Sequence, residues 1–394
     1  MIMDFNPKKI FNQSWTLFFC AMALCAIGIL FIKSAQSGTE IVSLNTAWES
    51  QLHWMGLGFL AYFFVMMFDF RKIIILAPHF YCVSLVLLIL VLLPTPWSKE
   101  INNSKSWLFF GSFHIQPSEV AKVSLILLLA YVLSFPKQDH RKIIYLIISL
   151  AILGVPLLLV LKQPDLGSAM VMLPVTFIIM FIVGIPKRYL ISLILAGCVF
   201  CVAVYNDFVP GFKLKEYQKK RLTSFLDPEA DARGSGFMIL QMKTAIGTGG
   251  TWGKGYGNST QNKLGYLPRN VAHTDAIFAV VAEEIGFVGS CSILFLFTIM
   301  MGIIIRIATR TTELSGRILC IGVAMIIFTH FFQNIGMTVG VMPITGIPLP
   351  FISHGGSFLI ITLSALGIVQ SVWIHRKSYQ PPANAAGYYN PSRK

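Results

Sequence analysis

The chain has 394 residues, of which 12% are charged and 55% hydrophobic, and its mean hydropathy is +0.70. Soluble domains are about 25% charged, so this composition excludes a soluble fold, a disordered chain and a small disulfide scaffold. The net charge of +14 would suggest nucleic acid for a soluble protein, but basic residues also collect in the cytoplasmic loops of membrane proteins. We therefore expect a polytopic membrane protein that does not bind nucleic acid.

Ten apolar segments approach the roughly 20 residues that a helix needs to cross a bilayer. They cover residues 15–33, 52–68, 73–94, 117–135, 143–161, 168–185, 189–205, 276–306, 317–340 and 358–375. The sequence thus predicts an all-α fold of about ten membrane-spanning helices in one domain, residues 15–377. Residues 1–14 form a cytoplasmic N-terminus and residues 378–394 a disordered cytoplasmic tail. With both termini in the cytoplasm, most basic residues of the short connections also face it.

The connection of residues 206–272 would lie outside the cytoplasmic membrane. It carries ten Lys or Arg against five Asp or Glu, and a loop of more than about 60 residues escapes the positive-inside rule. Its excess charge fits either anionic lipid head groups or an anionic substrate at the outer surface. Six glycines between Gly247 and Gly257 form no complete phosphate-binding motif, although successive N–H groups in such a run can make an anion-binding nest.

Charged residues stand where a membrane disfavours them, and each is a candidate for function. Glu119 and Lys122 share one helix face at the head of the fourth predicted span, where they can neutralise each other. They form either a structural ion pair or part of a cavity that positions a ligand. Asp165 precedes the sixth span, where it could cap the helix while Gly167 allows close packing.

Asp275 lies where the long basic connection re-enters the bilayer. Partial burial there would raise the pKa of its carboxyl group towards the range of a general base, whereas helix capping is the simpler alternative. Further along, four prolines and glycines between Pro343 and Pro350 interrupt the apolar pattern, followed by Ser353 and His354. Helix breakers at membrane depth must be buried in protein or line a cavity. We therefore expect a re-entrant segment before the tenth span, forming the floor of an outward-facing cavity.

Six motifs occur in an order that resembles the SEDS family, which includes RodA and FtsW. They are Trp107 with Gln116-Pro-Ser-Glu119-x-x-Lys122, Gln163-Pro-Asp165-Leu-Gly167, Leu226-Asp227-Pro228, His273-Thr274-Asp275, Glu283-Glu284-x-Gly286 and Leu349-Pro350-x-x-Ser353-x-Gly355-Gly356-Ser357. The resemblance extends from about residue 15 to residue 377. The stretches 236–247 and 334–337 are more similar to the elongation member than to the division member.

The resemblance implies a peptidoglycan glycosyltransferase of the bacterial cytoplasmic (inner) membrane that polymerises lipid II at the outer face. It also implies a class B penicillin-binding protein as partner, together with proteins of the elongation machinery and membrane lipids. The essential aspartate of the family falls on Asp275, its intramembrane pair on Glu119 and Lys122, and its loop tryptophan on Trp107. His354 replaces the usual tyrosine of the last motif, which could add pH sensitivity.

Joining two lipid-linked disaccharides requires a base for the acceptor hydroxyl and positive charge for the departing pyrophosphate. Asp275 could be the base, and Arg221, Lys243 or Lys254 could neutralise the phosphate. His273, Asp165, Ser353 and His354 complete the expected substrate cavity. No metal ligands are assigned and no cofactor is certain, although a divalent cation, Mg or Mn, could assist. A lipid II flippase or transporter is the alternative function, and a scaffold that only recruits a penicillin-binding protein is a third.

Overall fold

A computed structural model describes residues 11–36, 46–101, 104–111, 113–135, 143–206, 208, 216–231 and 234–376. Within these residues a helix overlaps each of the ten predicted spans. These helices are α1 (Trp15–Gln36), α2 (Ala47–Met67), α4 (Ala77–Leu92), α5 (Pro117–Leu133), α6 (Ile143–Lys162), α7 (Leu166–Val183), α8 (Lys187–Tyr205), α13 (Ile277–Thr309), α14 (Leu314–Val339) and α15 (Gly356–His375). A short helix, α3 (Phe70–Ile75), precedes α4. The predicted disordered tail, residues 378–394, lies outside the described residues.

Seven helices in the described part of the chain are long and apolar enough to cross a membrane, judged by length and composition. They are α1, α6, α7, α8, α13, α14 and α15. A helix satisfies its backbone hydrogen bonds internally, which is why it can cross hydrocarbon. Membrane crossing by α2, α4 and α5 stays a prediction. Helix α8 lies at the periphery, because Leu190 is its one buried side chain.

The bundle closes by packing α2 against α15 and the start of α1. A Cβ atom on Gly367 of α15 would lie 2.7 Å from the carbonyl oxygen of Tyr62 on α2, so only glycine allows this approach. The buried Tyr62 hydroxyl donates to Gln13 at 3.1 Å and accepts from the amide of Gln370 at 2.9 Å. Gln370 also exchanges two hydrogen bonds of 2.9 Å with the backbone of Ser14. The Tyr62 hydroxyl and the Gln370 amide are thereby satisfied by protein groups.

A small antiparallel sheet between α4 and α5 departs from the all-α prediction. Its strands β1 (Ser98–Ile101), β2 (Ser104–Phe110) and β3 (Phe113–Ile115) lie in the order β1-β2-β3. Along β2 the buried Ser106 and Leu108 alternate with the half-buried Trp107, which is the period-two pattern of a strand. Aromatic and apolar residues in this alternation favour strands over helices. The sheet leads directly into Pro117, the first residue of α5.

The long connection between α8 and α13 contains several helices. They are α9 (Glu216–Leu226), a 3₁₀ turn at Glu229–Asp231, α10 (Ser235–Gly249), α11 (Thr260–Lys263) and α12 (Arg269–Ala272). Helix α10 packs on α13 through an apolar cluster that includes Ile239, Met242, Ala279 and Val280. The connection is therefore anchored to the bundle where α13 begins.

The glycine run fits into a break in α13. Gly286 interrupts that helix with φ +67°, and a Cβ atom there would lie 2.3 Å from the backbone nitrogen of Gly253. The N–H groups of Lys254 and Gly255 donate to the carbonyls of Glu283 and Glu284 at 3.0 and 2.9 Å. These backbone groups are thus used in packing the run against α13, and they are not aimed at an anion.

Candidate functional site

Asp275 lies in the turn that joins α12 to α13, and its side chain is half-buried. The N–H of Ala276 donates to the carbonyl of Val271 at 3.0 Å, which closes the turn. The backbone carbonyl of Asp275 accepts a hydrogen bond of 2.8 Å from Nδ2 of Asn334. The same amide nitrogen donates to the carbonyl of Ile347 at 2.7 Å. One side chain of α14 therefore holds the Asp275 turn beside the segment that follows α14.

That following segment, residues 341–355, is not helical. Gly346 has φ +70°, and a Cβ atom on it would lie 3.5 Å from Oδ2 of Asp275. The hydroxyl of Ser353 donates to the carbonyl of Thr274 at 2.6 Å and accepts from the N–H of Leu349 at 2.8 Å. This segment therefore packs directly against the Asp275 turn, while its part as the floor of an outward-facing cavity stays a prediction.

The surroundings of Asp275 alter its acidity. Burial raises the pKa of its carboxyl group from 3.8 to about 6, and the positive charge of Arg221 on α9 partly opposes that rise. A base is most effective when its pKa lies near the working pH. The carboxylate is thus ionised at neutral pH while still able to accept a proton, and Arg221 is the predicted phosphate-binding residue whose charge reaches it.

Two predicted histidines lie beside this turn. The N–H of His354 donates to the carbonyl of His273 at 3.0 Å, and the two rings are 5.5 Å apart. Burial lowers the pKa of His354 to about 4, helped by His273 and by His114 on β3. His354 therefore stays neutral around pH 7, and the pH sensitivity expected from it does not arise in that range.

The sheet brings the predicted tryptophan towards the same region. The ring of Trp107 lies 5.7 Å from that of His114 in an edge-on arrangement. His114 in turn interacts electrostatically with His354. His114 is not recognisable as a site residue from local sequence, because its position depends on the pairing of β2 with β3.

The predicted intramembrane pair is present within the bundle. Nζ of Lys122 lies 2.7 Å from Oε1 of Glu119, and the two residues are only 1% and 4% exposed. Nζ of Lys122 also lies 2.8 Å from Nε2 of His330 on α14. A lysine ammonium has no acceptor, so Nε2 accepts and the ring proton resides on Nδ1. His330 was not among the predicted site residues, although a histidine within an apolar span was a signal for it.

Asp165 caps α7, as the simpler interpretation predicts. One carboxylate oxygen accepts from the N–H of Ser168 at 3.0 Å. The other accepts from the side chains of Gln116 at 3.0 Å and Ser118 at 3.1 Å. Because Ser118 directly precedes Glu119, this network connects the head of α7 to the head of α5. A Cβ atom on Gly167 would lie 2.9 Å from the carbonyl of Thr345, so close packing is confirmed as well.

Lys254 pairs with Glu283 of α13. Its Nζ bonds to Oε1 of Glu283 at 2.5 Å and to the hydroxyl groups of Thr248 and Thr260. The fully buried Glu283 also accepts from the hydroxyl of Ser259 and from the N–H of Thr260. Lys254 thus balances a buried carboxylate that fastens α11 and the glycine run to α13.

Lys243 is exposed on α10 and lies over the end of α14. A Cβ atom on Gly340 would come within 2.6 Å of its Nζ. A cation at a helix C-terminus is favoured by the helix dipole. Lys243 lies beside Gly340 and Lys254 beside Glu283, whereas the charge of Arg221 acts on the Asp275 carboxylate.

Among the described residues no group of three or more His, Cys, Asp or Glu side chains could hold a metal ion. Divalent cations such as Mg²⁺ are bound by several oxygen ligands, commonly one or two carboxylates together with substrate phosphates. A divalent cation at the candidate site, Mg or Mn, therefore stays a prediction.

The fold and the site together define a multi-pass membrane protein with a buried ion pair and a half-buried carboxylate of raised pKa. The model of the FtsW/RodA/SpoVE family, described as a cell cycle protein, matches residues 14–378. This chain belongs to that family.

Named relatives agree with this membership. The peptidoglycan glycosyltransferase MrdB of Escherichia coli strain K12 is 36% identical over 305 residues, covering 76% of this chain and 78% of that protein. The stage V sporulation protein E of Bacillus subtilis is 35% identical over 355 residues, covering 89% of this chain and 94% of its own. Because relatives are named as glycosyltransferases, the transporter alternative is not favoured.

Two solved structures have the same fold. One comes from work titled as the structural coordination of polymerization and crosslinking by a peptidoglycan synthase complex. It has a TM-score of 0.78 and 31% identity, covering 92% of this chain and 97% of that chain. The other is the rod shape determining protein RodA of Thermus thermophilus, with a TM-score of 0.67 and 30% identity, covering 93% of this chain and 98% of that chain.

Proposed function

We propose that this chain is a peptidoglycan glycosyltransferase that polymerises lipid II into glycan strands during cell-wall elongation, with Asp275 as the general base. The observation that carries the proposal is the carboxyl group of Asp275, which is half-buried and whose pKa is raised to about 6. Its turn is fixed by the amide of Asn334 and the hydroxyl of Ser353. A carboxylate so held is ionised at neutral pH and able to take a proton.

The proposed reaction requires one base. Asp275 removes the proton from the acceptor sugar hydroxyl while that oxygen forms a bond to the anomeric carbon of the donor sugar. The bond from that carbon to the lipid pyrophosphate breaks, and the electron pair leaves with the pyrophosphate. A single displacement of this kind inverts the anomeric centre and needs no second carboxylate as nucleophile, unlike retaining glycosidases.

Arg221 is the residue best situated to neutralise the leaving pyrophosphate. Its charge already acts on Asp275, and a guanidinium group binds phosphate through paired N–H donors. Fixed positive charge at a developing anion stabilises the transition state. Lys254, by contrast, is committed to Glu283, so its proposed part is to hold the glycine run in place.

The proposed orientation follows from charge. With both termini in the cytoplasm, the basic connections face inwards and the Asp275 turn faces outside the membrane. We also propose a class B penicillin-binding protein as partner, together with other proteins of the elongation machinery. This is supported by the structural neighbour from a peptidoglycan synthase complex, whose title joins polymerization to crosslinking.

The test is polymerisation of labelled lipid II by the purified protein with a class B penicillin-binding protein, in the presence of moenomycin. We expect Asp275→Asn to lower kcat by about a hundredfold or more, which is the usual contribution of a general base. Glu229→Gln is the matched control, because Glu229 is an exposed carboxylate of the same long connection. Polymerisation by Asp275→Asn at the wild-type rate would refute the base. Lipid II flux across liposomes without any polymer would favour a transporter instead.

A further inference from the structure

We propose that helix α14 positions the catalytic turn through two buried side chains, Asn334 and His330, and thereby couples the Glu119–Lys122 ion pair to Asp275. The inference rests on the proposed function, because it assigns positioning residues for that reaction. Neither Asn334 nor His330 is a catalytic residue in it, since neither is required to touch the substrate.

Asn334 is the end of this connection nearest to Asp275. Its side chain is fully buried, and its amide nitrogen donates to the carbonyls of Asp275 and Ile347 at 2.8 and 2.7 Å. A primary amide nitrogen carries two hydrogens, so both are used. The two acceptors belong to different segments, the Asp275 turn and the non-helical segment of residues 341–355. A shift of Asn334 along α14 would therefore move or release the backbone of Asp275.

His330 lies one turn away on the same helix. Residues four apart lie on the same face of an α-helix, so His330 and Asn334 point to the same side of α14. Nε2 of His330 lies 2.8 Å from Nζ of Lys122, which lies 2.7 Å from Glu119. The ring of His330 is 4.9 Å from the ring of Phe358, in the first turn of α15. The His330 side chain thus contacts both α5 and α15.

A continuous series of contacts follows from these distances. It runs from Glu119 to Lys122 and His330, along one turn of α14 to Asn334, and on to the carbonyl of Asp275. Residues one helical turn apart are joined by i to i−4 backbone hydrogen bonds, so a displacement at His330 is transmitted to Asn334. The ion pair accordingly fixes the position of α14 along its axis relative to the Asp275 turn.

The test is a double-mutant cycle on lipid II polymerisation with Glu119→Gln and Asn334→Leu, which share no direct contact. Independent sites multiply their effects, whereas members of one network do not. We expect each single variant to lower kcat about tenfold with KM unchanged, and the double variant to lower it about tenfold as well. A loss of about a hundredfold in the double variant would overturn the coupling.

Amide hydrogen exchange gives a second readout without substrate. We expect His330→Phe, which keeps a ring but loses the acceptor, to speed exchange at the N–H of Ala276. His330→Gln retains an acceptor, so it should exchange slowly at Ala276 and keep much of the polymerisation rate. Phe332→Leu, on the exposed side of α14, is the control and should change neither.

The two proposals fail in different ways. Unchanged exchange at Ala276 in His330→Phe would overturn the inference, whatever the activity. A wild-type rate in Asp275→Asn would overturn the base while leaving the exchange result intact. If Asn334→Leu does not fold, Asn334→Gln replaces it in the cycle, because it keeps both donors on a longer side chain. The double variant with Glu119→Gln should then again have the same kcat as the single variants, and a further loss would overturn the coupling.

Discussion

Lowering the pH from 7 to 5 should slow polymerisation in proportion to the ionised fraction of Asp275. With a pKa of about 6, the carboxyl group is about nine-tenths ionised at pH 7, about half at pH 6 and about one-tenth at pH 5. An aspartate at the ordinary value of 3.8 would stay about nine-tenths ionised at pH 5. The two cases therefore differ by nearly tenfold in rate at pH 5, which is easily measured.

The groups around Asp275 sharpen this prediction. Arg221 lowers the pKa of Asp275, so Arg221→Met should move the acidic limb of the profile to higher pH, while Arg221→Lys should leave it nearly in place. His354 has a pKa of about 4 and does not change charge between pH 5 and 7. His273, a further ionisable group beside the turn, is tested separately with His273→Gln, which should leave the limb near pH 6.

The assay is the initial rate with labelled lipid II from pH 5 to pH 8.5, at limiting and at saturating substrate. The limb in kcat/KM reports the pKa in the free enzyme. Glu229→Gln serves as the control and should keep the wild-type profile. A wild-type enzyme that retains full kcat/KM at pH 5 would refute the reasoning, because burial would then not set the acidity of the base.

Three further outcomes follow from the contacts. A raised pKa means that the folded state binds the Asp275 proton more tightly than the unfolded state does. The stability contributed by the protonated carboxyl group is therefore lost as pH rises from 3.8 to about 6. Asp275→Asn should accordingly unfold at a higher temperature than wild type at pH 8, and the difference should be smaller at pH 4.5. Lys122→Met should destabilise the fold by about 3–5 kcal/mol because it leaves the Glu119 carboxylate buried alone, and adding Glu119→Leu should recover part of that loss in thermal unfolding. Gly253→Ala would place Cβ 2.1 Å from the carbonyl of Glu284 at φ +79°, so its folding yield should fall sharply, whereas Gly257→Ala meets no atom within 4 Å at φ +74° and should lose only about 1–2 kcal/mol.

Much of the bundle could be predicted because it depends on local pattern. Each of the ten apolar segments overlaps a helix among the described residues, and Pro117 begins α5 as expected of proline in a first helical turn. The i,i+3 spacing of Glu119 and Lys122 was enough to predict their pairing, which is confirmed at 2.7 Å. Asp165 was predicted to cap the next helix for a similarly local reason.

The features that local pattern does not predict involve contacts between residues far apart in the sequence. The sheet of residues 98–115 was not predicted, because hydropathy identifies spans and says little about the short segments between them. The glycine run was assigned a possible anion site, whereas its close approach to Gly286 and its bonds to Glu283 and Glu284 serve the packing of α13. These contacts join positions about 30 residues apart, so spacing within the run could not reveal them.

Composition and periodicity by themselves determined that this chain is a membrane protein, roughly where its long helices lie, and which charges stand near their ends. Those properties depend on residues within one or two helical turns of each other. The tertiary structure alone decided that Asn334 holds Asp275 from 59 residues away and that His330 meets Lys122 from 208 residues away. The acidity of Asp275 was likewise settled only by folding, because burial and the approach of Arg221 depend on how separate helices pack.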